Sequence, residues 1–217
     1  MDYMISNIDL VLEAFWLTLQ LLVLSGLASL LFGTLLGAMR VGPVSALRRA
    51  AGIYVTLIRN TPLLIVFVFV FIAAPTLGWF VNTPFLITGV IALTIYTSAF
   101  VCEAVRSGIN AVDVGQAEAA RAVGMTFGQS MQQVILPQAF RAVVPPLASV
   151  LIALAKNTSV AAAFGLAEAT FRMRTLSNDQ SSERPLIFLT FAIGYIIIVE
   201  VMSAGAITLE RRWRAAR

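Results

Sequence analysis

Long apolar segments separated by short polar stretches make up most of the sequence. Five segments are long enough for a membrane span of about 20 residues. Their pattern is neither the alternation of a strand nor the single apolar face of a surface helix. Their predicted limits are 14–39, 51–74, 85–105, 139–170 and 185–209. We therefore expect an all-α, polytopic membrane protein in which residues 1–217 form a single transmembrane domain.

Composition agrees with this prediction. The chain is 59% hydrophobic and 12% charged, about half the charged share of an average soluble domain. The net charge of +4 comes from arginines scattered at the ends of apolar segments, which is the membrane pattern and not the basic face of a nucleic-acid-binding protein. No basic residue precedes the first apolar segment, so the N-terminus is a poor signal peptide.

The distribution of arginine predicts the orientation of the spans. An external N-terminus and a cytoplasmic C-terminus place most of the basic residues in the cytoplasm, as the positive-inside tendency favours. These residues are Arg40, Arg48, Arg49, Arg106, Arg121, Arg141 and the four arginines of 211–217. Only Arg172, Arg174 and Arg184 then lie outside, in the polar loop 171–184.

Small residues recur at a spacing of four in the first segment. Ser25, Ser29, Gly33 and Gly37 would share one helix face, and small side chains let two helices approach closely. The pattern fits packing inside the subunit, and it also fits an interface between subunits.

Polar residues occur at three places where the chain enters or crosses the apolar region. Residues 59–62 (Arg-Asn-Thr-Pro) interrupt the second segment, Glu103 ends the third, and residues 156–159 (Lys-Asn-Thr-Ser) lie in the fourth. Lys156, the only lysine, follows Pro146 by ten residues, a distance of about 15 Å or half the hydrocarbon thickness.

Each charge also has a purely structural explanation. Arg59 can extend to the cytoplasmic interface. Glu103 and Arg106 are three residues apart and can pair on one helix face. Lys156 can pair with Glu103 or Glu200 inside the bundle.

The loop between the third and fourth segments is suited to water. Asp113 and Gln116 predict a capped helix start, residues 116–123 are alanine-rich and favour helix, and Gly124 is the expected stop. A membrane-surface helix usually carries bulky apolar residues on one face. The alanines therefore favour a protein partner over the membrane surface.

A second helix is predicted in the same loop. Thr126 and Gln129 repeat the cap pattern, and we expect a short helix that runs to Leu136 and ends before Pro137. The loop 113–137 would then consist of two short helices that meet at a glycine corner.

Three stretches resemble one family. Residues 115–124 (Gly-Gln-Ala-Glu-Ala-Ala-Arg-Ala-Val-Gly), followed by Ile-Leu-Pro at 135–137, resemble the EAA loop of importer-type ABC permeases, especially those for polar amino acids. Residues 59–63 (Arg-Asn-Thr-Pro-Leu) resemble the Arg-Gly-Thr-Pro-Leu element of that subfamily. Residues 156–160 (Lys-Asn-Thr-Ser-Val) resemble its Lys-Asp-Thr-Ser-Leu element, and the resemblance extends in register from about Thr18 to the end.

The resemblance implies a type I ABC importer permease in a prokaryotic inner membrane. It implies a second permease subunit, identical or homologous, two cytoplasmic ATP-binding subunits, and an external amino-acid-binding protein. ATP and magnesium would be used by the ATPase subunits, so no cofactor or metal is expected in this chain. The EAA loop, 113–137, would insert a short helix into a groove of an ATPase subunit. The expected coupling residues are Gln116, Glu118, Ala119, Ala120, Arg121 and Gly124.

A zwitterionic substrate requires a cation or helix N-terminus for its carboxylate and an acceptor for its ammonium group. Lys156 or Arg59 could supply the first and Glu103 the second. Two cations against one acid favour an acidic or amide amino acid, such as glutamate or glutamine. The candidate path residues are Arg59, Thr61, Glu103, Lys156, Asn157, Thr158 and Ser159.

Other functions have little support in the sequence. A P-loop needs a lysine preceded by glycine, whereas Lys156 follows Ala155. With no histidine and few carboxylates, a membrane enzyme would depend on a pair such as Lys156 and Glu103. A non-transporting scaffold or receptor would not need polar residues at mid-depth.

Overall fold

A computed structural model describes residues 2–215 and the side chains of residues 3–211. The elements that it describes are helical, which confirms the all-α prediction. In chain order the helices are α1 Asp2–Ser6, α2 Ile8–Val41, α3 Ser45–Arg59, α4 Leu63–Thr76, α5 Phe85–Asn110, α6 Val114–Ala122, α7 Phe127–Phe164, α8 Ala169–Asp179 and α9 Arg184–Ala215. Helix α4 contains a π turn at Phe69–Ala73, and α7 contains one at Met131–Ile135 and ends as a 3-10 turn, Thr158–Phe164.

Within the described residues, α2, α5, α7 and α9 are each long and apolar enough to cross a membrane, and counting the bent pair α3–α4 as one span gives five crossings. Gly33 and Gly37 of α2 face Val101 and Val105 of α5 in the same order. Helices α2 and α5 therefore run in the same direction.

The remaining crossings alternate in direction. Val143 of α7 meets Gly108 near the end of α5, whereas Leu154 packs in the same core as Leu93 near its start, so α7 is antiparallel to α5. The ring of Phe71, late in α4, lies 5.9 Å from that of Phe85 at the start of α5, so α4 also opposes α5.

Helix α9 runs parallel to α2. Early in α9, Phe191 stacks on Phe15 near the start of α2, with ring centroids 5.6 Å apart. Later in α9, Met202 packs against the central core around Leu21. With five crossings in alternate directions the two chain ends lie at opposite ends of the bundle. We call the end that carries Arg40 and Glu103 the basic end.

The second segment is not a single straight span. Helices α3 and α4 are bent by 106° at the Asn-Thr-Pro of residues 60–62, because proline cannot continue the helix and restricts the residue before it. Ala51 and Val55 of α3 are buried, whereas Arg48 and Arg49 are exposed. Helix α3 is therefore an amphipathic helix packed on α2 and α5, and α4, about 21 Å long, is too short to cross hydrocarbon alone.

The predicted short helix ending at Leu136 is not a separate element. Residues 127–164 form one span of 38 residues that passes through Pro137. The π turn Met131–Ile135 precedes this proline, which lies in the first turn of the next helical stretch, where a backbone N–H is not needed. Two further prolines, Pro145 and Pro146, lie inside the same helix.

The fourth segment ends earlier than predicted, and the expected loop 171–184 is largely helical. Helix α7 stops at Gly165, whose φ of 86° is favoured by glycine. Helix α8 and the 3-10 turn Ser181–Glu183 follow. The sequence of α8 is polar, and its start depends on a side-chain cap from Glu168 rather than on an apolar pattern.

The small residues of α2 pack inside the subunit. Ser25 and Ser29 are fully buried, and a Cβ on Gly33 would lie 2.5 Å from the Cβ of Val101. The first of the two explanations for this pattern is therefore correct.

A buried carboxylate joins α8 to α9. Glu168 is fully buried and accepts hydrogen bonds from Thr170 N (3.0 Å), Phe171 N (2.9 Å) and the Tyr195 hydroxyl (2.8 Å). Burial raises the pKa of the Glu168 carboxyl, while these hydrogen bonds act in the opposite direction. Next to it, Ala169 N donates to Thr18 of α2 at 3.1 Å, so three helices meet at this point.

We expect Gly33→Ala to lower the melting temperature of the purified protein. The new methyl group would overlap Val101, and overpacking of this kind costs about 1–3 kcal/mol. Gly52→Ala is the matched control, because a Cβ at Gly52 has open space around it. Equal melting temperatures for the two variants would show that α2 and α5 do not make this close contact.

We expect Glu168→Ala to destabilise the protein more than Glu168→Gln. Alanine leaves the donors of Thr170, Phe171 and Tyr195 without an acceptor, at about 1–3 kcal/mol for each buried group, whereas glutamine keeps one oxygen. Thermal unfolding in detergent measures the order. Asp179→Ala, an exposed acid at the other end of α8, should change little, and a wild-type melting temperature for Glu168→Ala would contradict the role of the network.

Candidate functional site

The corner between α6 and α7 has a defined geometry. Asp113 caps α6, as predicted, and its side chain accepts a hydrogen bond from Gly115 N at 2.8 Å. The backbone N–H of Gln116 donates to Asp113 O at 3.0 Å. Gly124 has a φ of 81°. Gly124 N donates to Arg121 O and Met125 N donates to Ala120 O, which is a Schellman motif.

The start of α7 has the predicted cap. Thr126 and Gln129 exchange side-chain and backbone hydrogen bonds in a capping box. The connection between α6 and α7 is therefore short and well defined. The Schellman motif satisfies the backbone groups at the end of α6, and the capping box satisfies those at the start of α7. The corner has few soft dihedrals, so α6 and α7 are expected to move together.

Most of the surface of α6 is exposed. Of the six expected coupling residues, Gln116, Glu118, Ala119, Arg121 and Gly124 are exposed. Ala120 is only 5% exposed and faces the chain itself, so the structure does not place it on the outer surface.

Three bulky apolar residues lie on this surface and were missed by the sequence analysis. Val114, Val123 and Phe127 are 70%, 77% and 72% exposed. The sequence could have indicated their exposure, because they flank a polar, alanine-rich helix that lies outside the spans. Their exposure adds an apolar contact surface to the charges of Glu118 and Arg121.

An ion-pair cluster holds the basic end together. The carboxylate of Glu103 on α5 contacts Arg40 at the end of α2, Arg59 at the end of α3 (3.6 Å) and Arg106 one turn away (3.5 Å). The guanidinium of Arg59 also lies 5.7 Å from the ring centroid of Phe100, a cation–π distance. The predicted pairing of Glu103 with Arg106 is confirmed, and Arg40 and Arg59 join it.

This cluster changes the role expected of two path residues. Glu103 already neutralises Arg59 in part, so in this conformation it is not a free acceptor for an ammonium group. A cavity of about 440 Å³ beside the cluster is lined by Glu103, Arg106, Ser107, Asn110 and Ala111. The cluster therefore borders an open polar space at the basic end.

The second group of path residues lies deeper in the bundle. Lys156 is exposed on the bundle surface, while its neighbours Leu154 and Ala155 belong to the central core. Asn157 and Ser159 are partly exposed. Thr158 is fully buried and donates to Ala155 O at 2.7 Å, so it supports the backbone and does not face a path in this conformation.

The seven predicted path residues thus form two separate groups. Arg59, Thr61 and Glu103 lie at the basic end, and residues 156–159 lie at the depth of the central core. Lys156 forms no ion pair with Glu103 or Glu200 within the described part of the chain, which contradicts its structural explanation. No group of three or more potential metal ligands occurs among the described residues.

Comparison with known proteins places this architecture in a family. The family described as binding-protein-dependent transport system inner membrane component matches residues 29–215. The chain is 39% identical over 211 residues to the glutamate transport system permease protein GluC of Corynebacterium glutamicum, covering 93% of this chain and 92% of that protein. It is 35% identical over 203 residues to the probable glutamine ABC transporter permease protein GlnP of Bacillus subtilis, covering 92% of each.

Solved structures give the same result. An amino acid ABC transporter crystallised with histidines has a chain that superposes with a TM-score of 0.89 at 30% identity, covering 96% of both chains. The MetNI methionine ABC transporter, at 21% identity and a TM-score of 0.75, shares the fold. These matches confirm the resemblance seen in the EAA loop, and the chain belongs to the binding-protein-dependent transport system inner membrane components, as a multi-pass, non-enzymatic permease of the ABC transporter class.

Proposed function

We propose that this chain is the permease subunit of an ATP-driven importer of polar amino acids, with glutamate or glutamine as substrate. The observation that carries the proposal is the exposed helix α6, fixed by a glycine corner to a membrane-spanning helix. The similarity to permeases named for glutamate and glutamine supports this substrate class.

The proposed orientation puts the basic end in the cytoplasm and the N-terminus outside. The basic end carries α6, the Glu103 cluster and Arg48 and Arg49 of α3, as the positive-inside tendency favours. The side chains of residues 212–217, which include three of the tail arginines, lie outside the described residues. Helix α8 and the loop before α5 would then face the external amino-acid-binding protein.

The proposed complex has two permeases and two ATP-binding subunits. Each α6 would occupy a groove on an ATPase subunit, with Val114, Val123 and Phe127 as apolar contacts and Glu118 and Arg121 as charged ones. ATP and magnesium would act in the ATPase subunits. Their closure would move the α6 helices and switch the bundle between inward-open and outward-open states.

A continuous helix supports the proposal that this movement reaches the bundle. From Phe127 to Lys156 the chain is one helix, with a π turn, about 43 Å long. A displacement of α6, transmitted through the corner at residues 123–126, would therefore move the mid-depth polar group. The Glu103 cluster joins α2, α3 and α5 at the same end of the bundle.

The proposed path runs from the mid-depth group to the basic end. Lys156, with Asn157 and Ser159 beside it, would attract the substrate carboxylate. Thr61, Arg59 and Glu103 would line the exit, and Thr158 would support the site from behind. Ala153 and Ser149 lie one and two turns before Lys156 on the exposed side of α7, which leaves room beside the lysine.

We expect Glu118→Lys to prevent assembly with the ATPase subunits and to abolish uptake. Reversal of a charge at an interface should weaken binding about tenfold or more. Co-purification from membranes and uptake into vesicles measure the two effects. Asp179→Lys, an exposed acid at the opposite end of the bundle, should retain the ATPase subunits. Normal assembly and uptake with Glu118→Lys would refute the coupling role of α6.

We expect Lys156→Met to abolish amino-acid uptake while the permease still co-purifies with its ATPase subunits. Methionine keeps most of the side-chain volume and removes the charge that would bind the substrate carboxylate. Arg49→Met, which removes an exposed cation of α3, should keep uptake. Unchanged transport by Lys156→Met would remove this residue from the path, and failure of the wild-type complex to transport any amino acid would favour a scaffold or receptor.

A further inference from the structure

Lys156 and Glu200 are opposite charges at a similar depth of the bundle. Leu154 and Ala155, beside the lysine, belong to the central core, and Val199 and Met202, beside the glutamate, pack against the same core. Both charged side chains are exposed on the surface of the subunit. Neither has an ion pair or a hydrogen bond to its side chain within the described residues.

This arrangement is unfavourable for an isolated subunit. A charged side chain at mid-depth in a membrane is costly, and such residues almost always face a partner, another helix or water. The carboxylate that could have served Lys156, Glu103, is instead held by Arg40, Arg59 and Arg106. The described residues therefore supply no counter-charge to Lys156 or Glu200, and a neighbouring subunit or water must satisfy them.

The surfaces around the two charges suit close contact with another helix. Ala204 and Thr208 follow Glu200 at intervals of four on the exposed side of α9, and with Gly205 they border a cavity of about 390 Å³. Ser149 and Ala153 precede Lys156 on the exposed side of α7. Small side chains at such positions permit helix backbones to approach.

A two-fold symmetric contact pairs each residue i with residue j of the other subunit and each j with i. One positive and one negative charge at a similar depth make a surface complementary to itself. We propose that Lys156 forms an ion pair with Glu200 of the partner subunit, and Glu200 with Lys156 of the partner subunit, where the partner is a second copy of this chain. This inference rests on the paired permeases of the proposed function.

The pairing also gives Lys156 a resting counter-ion. An anionic group of the substrate would then compete with Glu200 of the partner subunit for the same ammonium group. Substrate entry would loosen the contact between the two permeases at the depth where the path must open.

Cysteine cross-linking tests the contact in the assembled transporter. Cys102 is the only cysteine of the chain, so the experiment uses a Cys102→Ala background. A copy with Lys156→Cys and a differently tagged copy with Glu200→Cys are co-expressed with the ATPase subunits and oxidised. We expect a cross-linked dimer carrying both tags. The control pair replaces Glu200→Cys by Ile193→Cys, two turns away on the exposed side of α9. An intact complex in which the Lys156–Glu200 pair cross-links no faster than the control would overturn the proposal.

Charge reversal separates this contact from transport. Lys156→Glu and Glu200→Lys should each lower the melting temperature of the complex by several degrees, and the double variant should recover it, while uptake stays lost because the path has no Lys156. If the double variant does not recover the melting temperature, the ion pair is refuted. This result would not contradict the proposal that the chain transports amino acids. Failure of the wild-type complex to take up any amino acid would instead refute the proposed function.

Discussion

The cost of removing charge from water determines how this bundle is assembled. At the basic end one carboxylate, Glu103, collects three arginines and so connects α2, α3 and α5. At the other end Glu168 collects two backbone donors and a hydroxyl, which fixes α8 against α9. Glu168 is fully buried, so partial removal of its network leaves a buried group unpaired, whereas the Glu103 cluster is partly exposed. Apolar packing fills the space between these two points but does not by itself set the order of the helices.

The same constraint explains how helices with prolines remain continuous. The backbone of a spanning segment must satisfy its own hydrogen bonds, and α7 achieves this by placing a π turn ahead of Pro137. The result is a continuous helix that begins at the glycine corner and reaches the central core. In α3–α4 the same residue type has the opposite effect, since the chain bends by 106° at Pro62. The helix thus continues through Pro137, whereas Pro62 separates the amphipathic helix α3 from the short helix α4.

The number of spans and the corner at residues 113–126 could be predicted because they depend on local patterns: the length of apolar runs, caps at Asp113 and Thr126, and a glycine stop at residue 124. The end of the second helix at Leu136 was predicted wrongly, because the helix continues through Pro137. Other features depend on contacts between distant segments. Nothing near Arg59 in the sequence indicates that it shares a carboxylate with Arg40, and nothing near Glu168 indicates that Tyr195 covers it. The prediction that Glu103 serves the substrate was made from residue types alone, and the structure shows that its neighbours in space are arginines.

The charges of the described chain fall into two classes, and the difference between them is informative. Glu103 and Glu168 are satisfied by groups of the same chain, and they hold helices together. Glu118, Lys156 and Glu200 are exposed and lack such partners within the described residues, although two of them lie at the depth of the core. The proposed assembly with an ATPase and a second permease would use charges of the second class, because a charge already neutralised inside the fold contributes little to recognition. In the proposed complex, Glu118, Lys156 and Glu200 would contact other subunits, whereas Glu103 and Glu168 hold helices of this chain together.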